Sequence, residues 1–328
     1  MAASVSAMES SLDQGNRRPR VVVVGAGFAG LWAVKALRGA PVQIELIDRN
    51  NFHTFFPLLY QVAAAELAPG DIAHPIRKII RRQDNARFTL ATVTAVDLSG
   101  GMLSTDVGVI GFDFLILATG STTTHFGVEG AVEHSFGLRT LDDAVRLRDH
   151  VLRTFEAAQR LRGSARQSAT TFVIVGGGPT GVEFSGALQE LINGPLDKDH
   201  PELDIAAARV ILVEAGDRLL NVYPRRLSRY AKRRLEKMGV EVRLGANVVR
   251  VAPDSVDFAD GSRVATNTVV WTAGVGGPEE LGDWGIATGS ARRANVAADL
   301  SLDGAGKVYV VGDGSLPDNT PAPMVAQN

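Results

Sequence analysis

The 328-residue chain contains no cysteine. That absence excludes disulfide scaffolds, thiolate metal centres, cysteine-ligated iron–sulfur clusters, thioether-attached haem and dithiol redox relays, all of which need the missing sulfur. Histidine is sparse: His53, His74, His125, His134, His150 and His200 include no pair at helical i, i+3 or i+4 spacing, so no metal site is expected. Long hydrophobic runs are also missing. The longest uncharged one, residues 21–34, has 14 residues and three glycines, short of the ~18 that span a bilayer. Residues 1–19 are small and polar, with Glu9 and Asp13 interrupting any apolar run; they are expected to form a disordered tail and not a secretory signal. An excess of one charge is absent too. Thirty-four basic against 36 acidic residues give a net charge of −2, which offers nucleic acid no bulk attraction.

The remainder is ordinary for a soluble globular protein, with 45% hydrophobic and 21% charged residues. The length allows about two domains. Without thiols or metals, chemistry must come from a bound organic cofactor or from common acids, bases and hydroxyls.

Glycine is abundant, at 35 residues, and its clusters show that one event occurs twice. A valine run over residues 20–24 leads to Gly25, Gly27 and Gly30, then a helical stretch, then an alternating strand ending in Asp48. A second apolar run over 171–175 leads to Gly176, Gly178 and Gly181, a helix, and a strand ending in Glu214. Each copy reads strand, glycine turn, helix, strand, acid, the opening of a βαβ dinucleotide-binding unit. In each, the first glycine permits the sharp turn, the second lets a pyrophosphate approach the helix N-terminus, and the third allows close helix–strand packing. Asp48 and Glu214 are placed to accept hydrogen bonds from an adenosine ribose, and a carboxylate at Glu214 favours NADH over NADPH. The 33 residues from Gly181 to Glu214 exceed the usual ~20; the surplus is expected as a polar loop around residues 194–201.

Shorter strands are expected over 112–120, 268–274 and 307–313, and a linking helix over 141–161. Residues 224–238 read as a helix whose apolar face is Leu227, Ala231, Leu235 and Met238. It carries seven basic residues between Arg225 and Lys237. A solvated face is the ordinary reading of such a run, and an anionic surface the alternative.

With these motifs in place, the chain resembles the two-dinucleotide-binding-domain flavoproteins, and among them the type II NADH dehydrogenases, non-proton-pumping NADH:quinone oxidoreductases. The general marks are the two glycine turns, Ala118-Thr119-Gly120 and Val311-Gly312-Asp313; the narrower ones are the stretch from Asp48 to Gln61, the run from Gly178 to Glu183, and Pro323 to Gln327. The resemblance implies an α/β fold of two Rossmann-like domains, related to pyridine nucleotide-disulfide reductases but without the redox cysteines. It implies non-covalent FAD on Gly25, Gly27, Gly30, Asp48, Ala118, Thr119, Gly120 and Asp313, in a discontinuous domain over 20–125 and 276–328. It implies NADH on Gly176, Gly178, Gly181 and Glu214, in a domain over 126–275. Glu183 falls, by the same resemblance, where the two cofactors meet; Pro57, Tyr60, Gln61 and Ala326 fall near flavin and quinone, with Gln327 facing the quinone side.

The implied partners are NADH, a quinone and a membrane surface, the last reached through a C-terminal region that the family carries beyond the point where this chain stops. A peripheral enzyme on the cytoplasmic face of the inner (plasma) membrane is expected. A homodimer is left open and nucleic acid is not expected. A reductase of a small redox protein and a non-catalytic flavin- or NADH-sensing protein are the competing readings. The first generally lacks the residue 57–60 and 326–327 marks.

Overall fold

The computed structural model describes residues 17–302 and 304–317. The chain forms two compact units. One comprises the chain as far as His53, His74–Thr122 and the chain from Gly276; the other comprises Thr54–Ala73 and Thr123–Val275. In chain order the principal elements are β1 (Arg20–Val24), α1 (Phe28–Ala36), β2 (Gln43–Asp48), α2 (Leu59–Ala63), β3 (Ala86–Leu90) and β4 (Phe114–Leu117). There follow β5 (Phe136–Gly137), α3 (Leu141–Ala158), β6 (Thr171–Val175), α4 (Pro179–Leu191) and β7 (Arg209–Glu214). The last are α5 (Arg225–Met238), β8 (Glu241–Leu244), β9 (Thr268–Trp271), β10 (Ser301–Leu302) and β11 (Ala305–Val310).

The first unit is built on a six-stranded sheet in the order β10–β11–β4–β1–β2–β3, parallel except for β10. Strand β1 is an unbroken valine run because both its faces are covered, as parallel strands require. Val22 and Val24 enter one apolar layer with Leu115, Leu117 and Val308, while Val21 and Val23 enter the opposite layer with Leu31, Val34 and Ile76. Burial of each such valine stabilises the strand by about 1.5–3 kcal/mol, which fixes the strand end from which the glycine turn departs.

The second unit repeats the plan in a five-stranded parallel sheet, β5–β9–β6–β7–β8. Phe172 and Ile174 of β6 face one core layer, and Val173 and Val175 the other. The doubly wound α/β class expected from the sequence is the one observed. Residues 54–73 pack within this second unit, whereas the sequence reading runs the first domain unbroken from 20 to 125. The cause is α2, whose Leu59, Val62 and Ala63 are buried in one core with Val151 and Phe155 of α3 and Phe184 and Leu188 of α4.

Three local expectations are corrected. Residues 194–201 are largely helical: α4 continues into a π-helical turn over Ile192–Leu196, with Pro195 inside it, and then Asp197–Asp199. Ile192, Leu196, Leu203 and Ile205 are all buried in the unit's core, so the insertion follows the core and does not loop away. Helix α3 ends at Ala158, not 161, where the Arg166 guanidinium donates to the Ala158 and Leu161 carbonyls and Arg162 to those of Gln159 and Leu161. Helix α5 is rotated from the expected phase. Ser228 and Leu235 are buried, whereas Leu227 is 41% exposed. Ser228 tolerates burial because its hydroxyl donates to the Leu219 carbonyl.

Candidate dinucleotide-binding sites

Each unit carries a glycine turn held by the acid of its neighbouring strand. In the first, Gly25 has φ +102°, and a Cβ there would lie 2.3 Å from the Ala118 carbonyl oxygen. Only glycine meets both demands. A Cβ at Gly30 would lie 1.8 Å from the Gly25 oxygen, so α1 packs directly on the turn, whereas nothing lies within 4 Å of a Cβ at Gly27. Helix α1 begins after Gly27 with no side-chain cap and no acid in its first turn. Its N-terminal N–H groups therefore face open space with the positive end of the helix dipole uncompensated, the arrangement that receives a phosphate.

The residue between these glycines, Ala26, is clamped from both sides. Asp48 Oδ2 accepts from its N–H at 2.6 Å while Oδ1 accepts from Asn50 N at 2.7 Å. On the other side, His53 Nδ1 lies 2.9 Å from the Ala26 carbonyl; a carbonyl only accepts, so Nδ1 carries the proton. Burial pushes the His53 pKa below its usual value, outweighing the bond to Ala26, and His74 and Lys35 act in the same direction. The ring packs edge-on against Phe28, with centroids 5.0 Å apart. Sequence reasoning missed His53 as a turn-holding residue. Its only signal was its place in the motif running from Asp48 to Gln61.

Ala118, Thr119, Gly120 and Asp313 gather beside the first turn. Ala118 N donates to the Val24 carbonyl at 2.8 Å. Asp313 accepts from the Ser121 hydroxyl at 2.9 Å, and its carbonyl accepts from Arg293 Nε at 3.0 Å. A Cβ at Gly312 would touch Ala29, and one at Gly314 the Gly120 oxygen, so these two loops close around the start of α1. Thr119 Oγ1 is buried without a hydrogen-bond partner among the described residues. Such an orphan asks for a polar ligand atom. The open cradle at Gly27, the uncapped helix and this hydroxyl fit a dinucleotide such as FAD.

The second unit mirrors the first with one difference. Gly176 has φ +114°, a Cβ at Gly181 would lie 1.9 Å from the Gly176 oxygen, and Gly178 again faces open space. Helix α4 starts after Gly178 with Pro179 in its first turn, no side-chain cap and no acid in that turn. Glu214 Oε2 accepts from Gly177 N at 2.6 Å and Oε1 from Gly216 N at 2.7 Å, the geometry of Asp48 with one more methylene. The space beside it is filled: a Cβ on Gly177 would lie 2.7 Å from Leu219 and 2.9 Å from both Glu214 Cβ and Oε2. Ala26 with Asp48 and Gly177 with Glu214 thus make the same backbone-to-carboxylate bond in the two turns. The sequence reading singled out the flanking glycines and missed Gly177.

Glu183 is exposed on α4, yet partial desolvation raises its pKa. Tyr60 on α2, in the same unit, is half-buried; burial raises its pKa first, with the charges of Glu183, Glu66 and Glu190 adding to the effect. Gln61 Nε2 donates to Glu66 at 2.9 Å. Pro57 is exposed in the single turn Phe56–Leu58, where the Arg139 guanidinium lies 4.3 Å over the Phe56 ring. Pro57, Tyr60, Gln61 and Glu183 therefore share one unit. Ala326 and Gln327 lie outside the described residues. Among the described residues no cluster of metal-ligating side chains occurs, and no helix is long and apolar enough to cross a membrane.

Residues 19–328 match the family described as pyridine nucleotide-disulphide oxidoreductase. Among characterised proteins, the chain is 36% identical to the type II NADH:quinone oxidoreductase Ndh of Mycobacterium tuberculosis, over 97% of this chain and 71% of that protein. It is 41% identical to NdhA of the same organism, over 90% of this chain and 66% of the relative. NDH2 of Plasmodium falciparum, solved in complex with NADH, superposes with a TM-score of 0.84 at 20% identity, over 92% of this chain and 66% of that one. The chain thus spans about two thirds of the length of these relatives.

Proposed function

This chain belongs to the pyridine nucleotide-disulphide oxidoreductase family and, within it, to the type II NADH:quinone oxidoreductases, and from that membership we propose that it oxidises NADH through a non-covalent FAD and passes the two electrons to a quinone. When bound, FAD supplies the chemistry, taking hydride and releasing electrons. The protein supplies position and electrostatics. The observation that carries this reading is the duplicated turn, two uncapped helix starts each with an open glycine and a clamped carboxylate.

In the first unit Gly25, Gly27 and Gly30 shape the cradle for the FAD pyrophosphate, with Ala118, Thr119, Gly120 and Asp313 closing it. Asp48 holds the turn through Ala26 and Asn50 and keeps its remaining lone pairs for a ribose hydroxyl. In the second unit Gly176, Gly178 and Gly181 receive the NADH pyrophosphate. Glu214 holds the turn and accepts from the adenosine ribose, where its charge would repel a 2′-phosphate. Glu183, whose carboxyl retains its proton to higher pH than an ordinary glutamate, positions the nicotinamide and handles a proton at its Oε atoms. Tyr60, Gln61 and Pro57 border the quinone path. The transfer runs without proton pumping. The enzyme works at the membrane surface, on its cytoplasmic face.

The test is steady-state NADH oxidation with a short-chain quinone. Turnover well above the rate without acceptor is expected, and Glu183→Gln should lower it while leaving the thermal midpoint unmoved. No quinone-dependent turnover in flavin-loaded protein would contradict the reading.

A further inference from the structure

Helix α5 docks on the second unit by a narrow seam: Ser228 and Leu235 are buried, with Ala231 and Met238 half-buried beside them. At 3.6 residues per turn, Arg226, Tyr230, Arg233 and Lys237 fall together on the opposite, exposed face, flanked by Arg229 and Arg234. Of the helix's seven cations, Lys232 pairs with Glu236 and Arg225 lies 3.8 Å from Asp217. Arg226, Arg229, Arg233, Arg234 and Lys237 have no acidic partner among the described residues. Apolar groups stand among them: Tyr230 is 63% exposed, and Val222, at 68%, and Leu227 lie at the helix's N-terminal end with Tyr223.

We propose that this face is a docking surface for an anionic lipid bilayer. Five unpaired cations on one convex strip complement headgroup phosphates, and the attraction is local because the chain as a whole is slightly acidic. It acts within about 10 Å, so only the strip itself is drawn in. The apolar residues choose between anionic partners. Tyr223 and Tyr230 suit the headgroup level, and Val222 and Leu227 suit the acyl boundary; against a nucleic-acid backbone Val222 and Leu227 would gain nothing. The test of this surface needs no electron acceptor.

The experiment sediments the full chain with vesicles of phosphatidylcholine alone or with phosphatidylglycerol added, at low and high salt. Binding is expected only to the anionic vesicles and should be lost at high salt. The triple variant Arg226→Gln/Arg229→Gln/Arg233→Gln changes exposed side chains only and should retain the wild-type thermal midpoint. Its partitioning should fall about a hundredfold, at about fivefold per cation. Leu227→Ser/Tyr230→Ser keeps every charge and should weaken binding by a smaller factor. Wild-type partitioning by the triple variant would overturn the proposal, as would equal binding to neutral vesicles. Tighter binding to duplex DNA than to anionic vesicles at the same salt would also overturn it, assigning the face to nucleic acid.

Discussion

Ala26 and Gly177 occupy equivalent positions and donate the same 2.6 Å hydrogen bond, one to an aspartate and the other to a glutamate. At Gly177, Leu219 and the Cβ and Oε2 of Glu214 leave no room for a methyl group. Gly177→Ala is therefore expected to destabilise the protein by about 1–3 kcal/mol, as overpacking does, and to weaken NADH binding. Adding Leu219→Ala, which removes the nearest of these atoms, should make the combined loss smaller than the sum of the two single losses. A denaturant-based double-mutant cycle checks this; additive losses would show that the two side chains do not compete for space. The same contrast marks what could be read beforehand. Gly25, Gly27, Gly30, Gly176, Gly178 and Gly181 and the acids Asp48 and Glu214 were legible because the turn and the strand end fix their spacing. Gly177, His53 and Ser121 were not, since each acts through a contact with a residue remote in sequence, at Glu214, Ala26 and Asp313.

At the scale of elements, helix starts divide into those with caps and those without. Helix α3 is closed by a capping box: Thr140 Oγ1 accepts from Asp143 N at 3.1 Å, and Asp143 Oδ2 accepts from Thr140 N at 2.9 Å. Its buried Ala144, Leu147, Val151 and Phe155 then pack under α2 and against β6. Thr140→Ala should cost about 1 kcal/mol, read as a lower urea midpoint with an unchanged slope; no shift would mean that the box is redundant. Helices α1 and α4 lack such caps, and these are the two that face an open glycine. Elements with strong periodicity or unbroken valine runs were readable from the sequence. The phase of α5 was not, because a serine satisfied by the Leu219 carbonyl displaced Leu227 from the buried face. Residues 194–201 misled for a related reason: their polar composition hid Leu196, whose burial keeps the segment helical.

Across the whole molecule, His53, His125 and His150 all have pKa values lowered chiefly by burial. An unfolded histidine titrates near 6.5, so below that pH the unfolded chain takes up protons that the folded one refuses. Stability from these groups is fully present above pH ~6.5 and declines as pH falls through that value toward the folded pKa values. The thermal midpoint should drop between pH 7 and 5.5. His53→Asn, which can still donate to Ala26, should show a shallower decline; an equally steep one would remove His53 from the account. The central claim is that two phosphate-cradling units bring electrons from NADH to a quinone through FAD. Its most direct test is the visible spectrum of the purified protein under anaerobic conditions, followed through successive additions of NADH and a short-chain quinone. The account predicts a flavin absorption band that NADH bleaches in one-to-one proportion and that the quinone restores; a protein without the band, or a bleached flavin that the quinone leaves reduced, would contradict it.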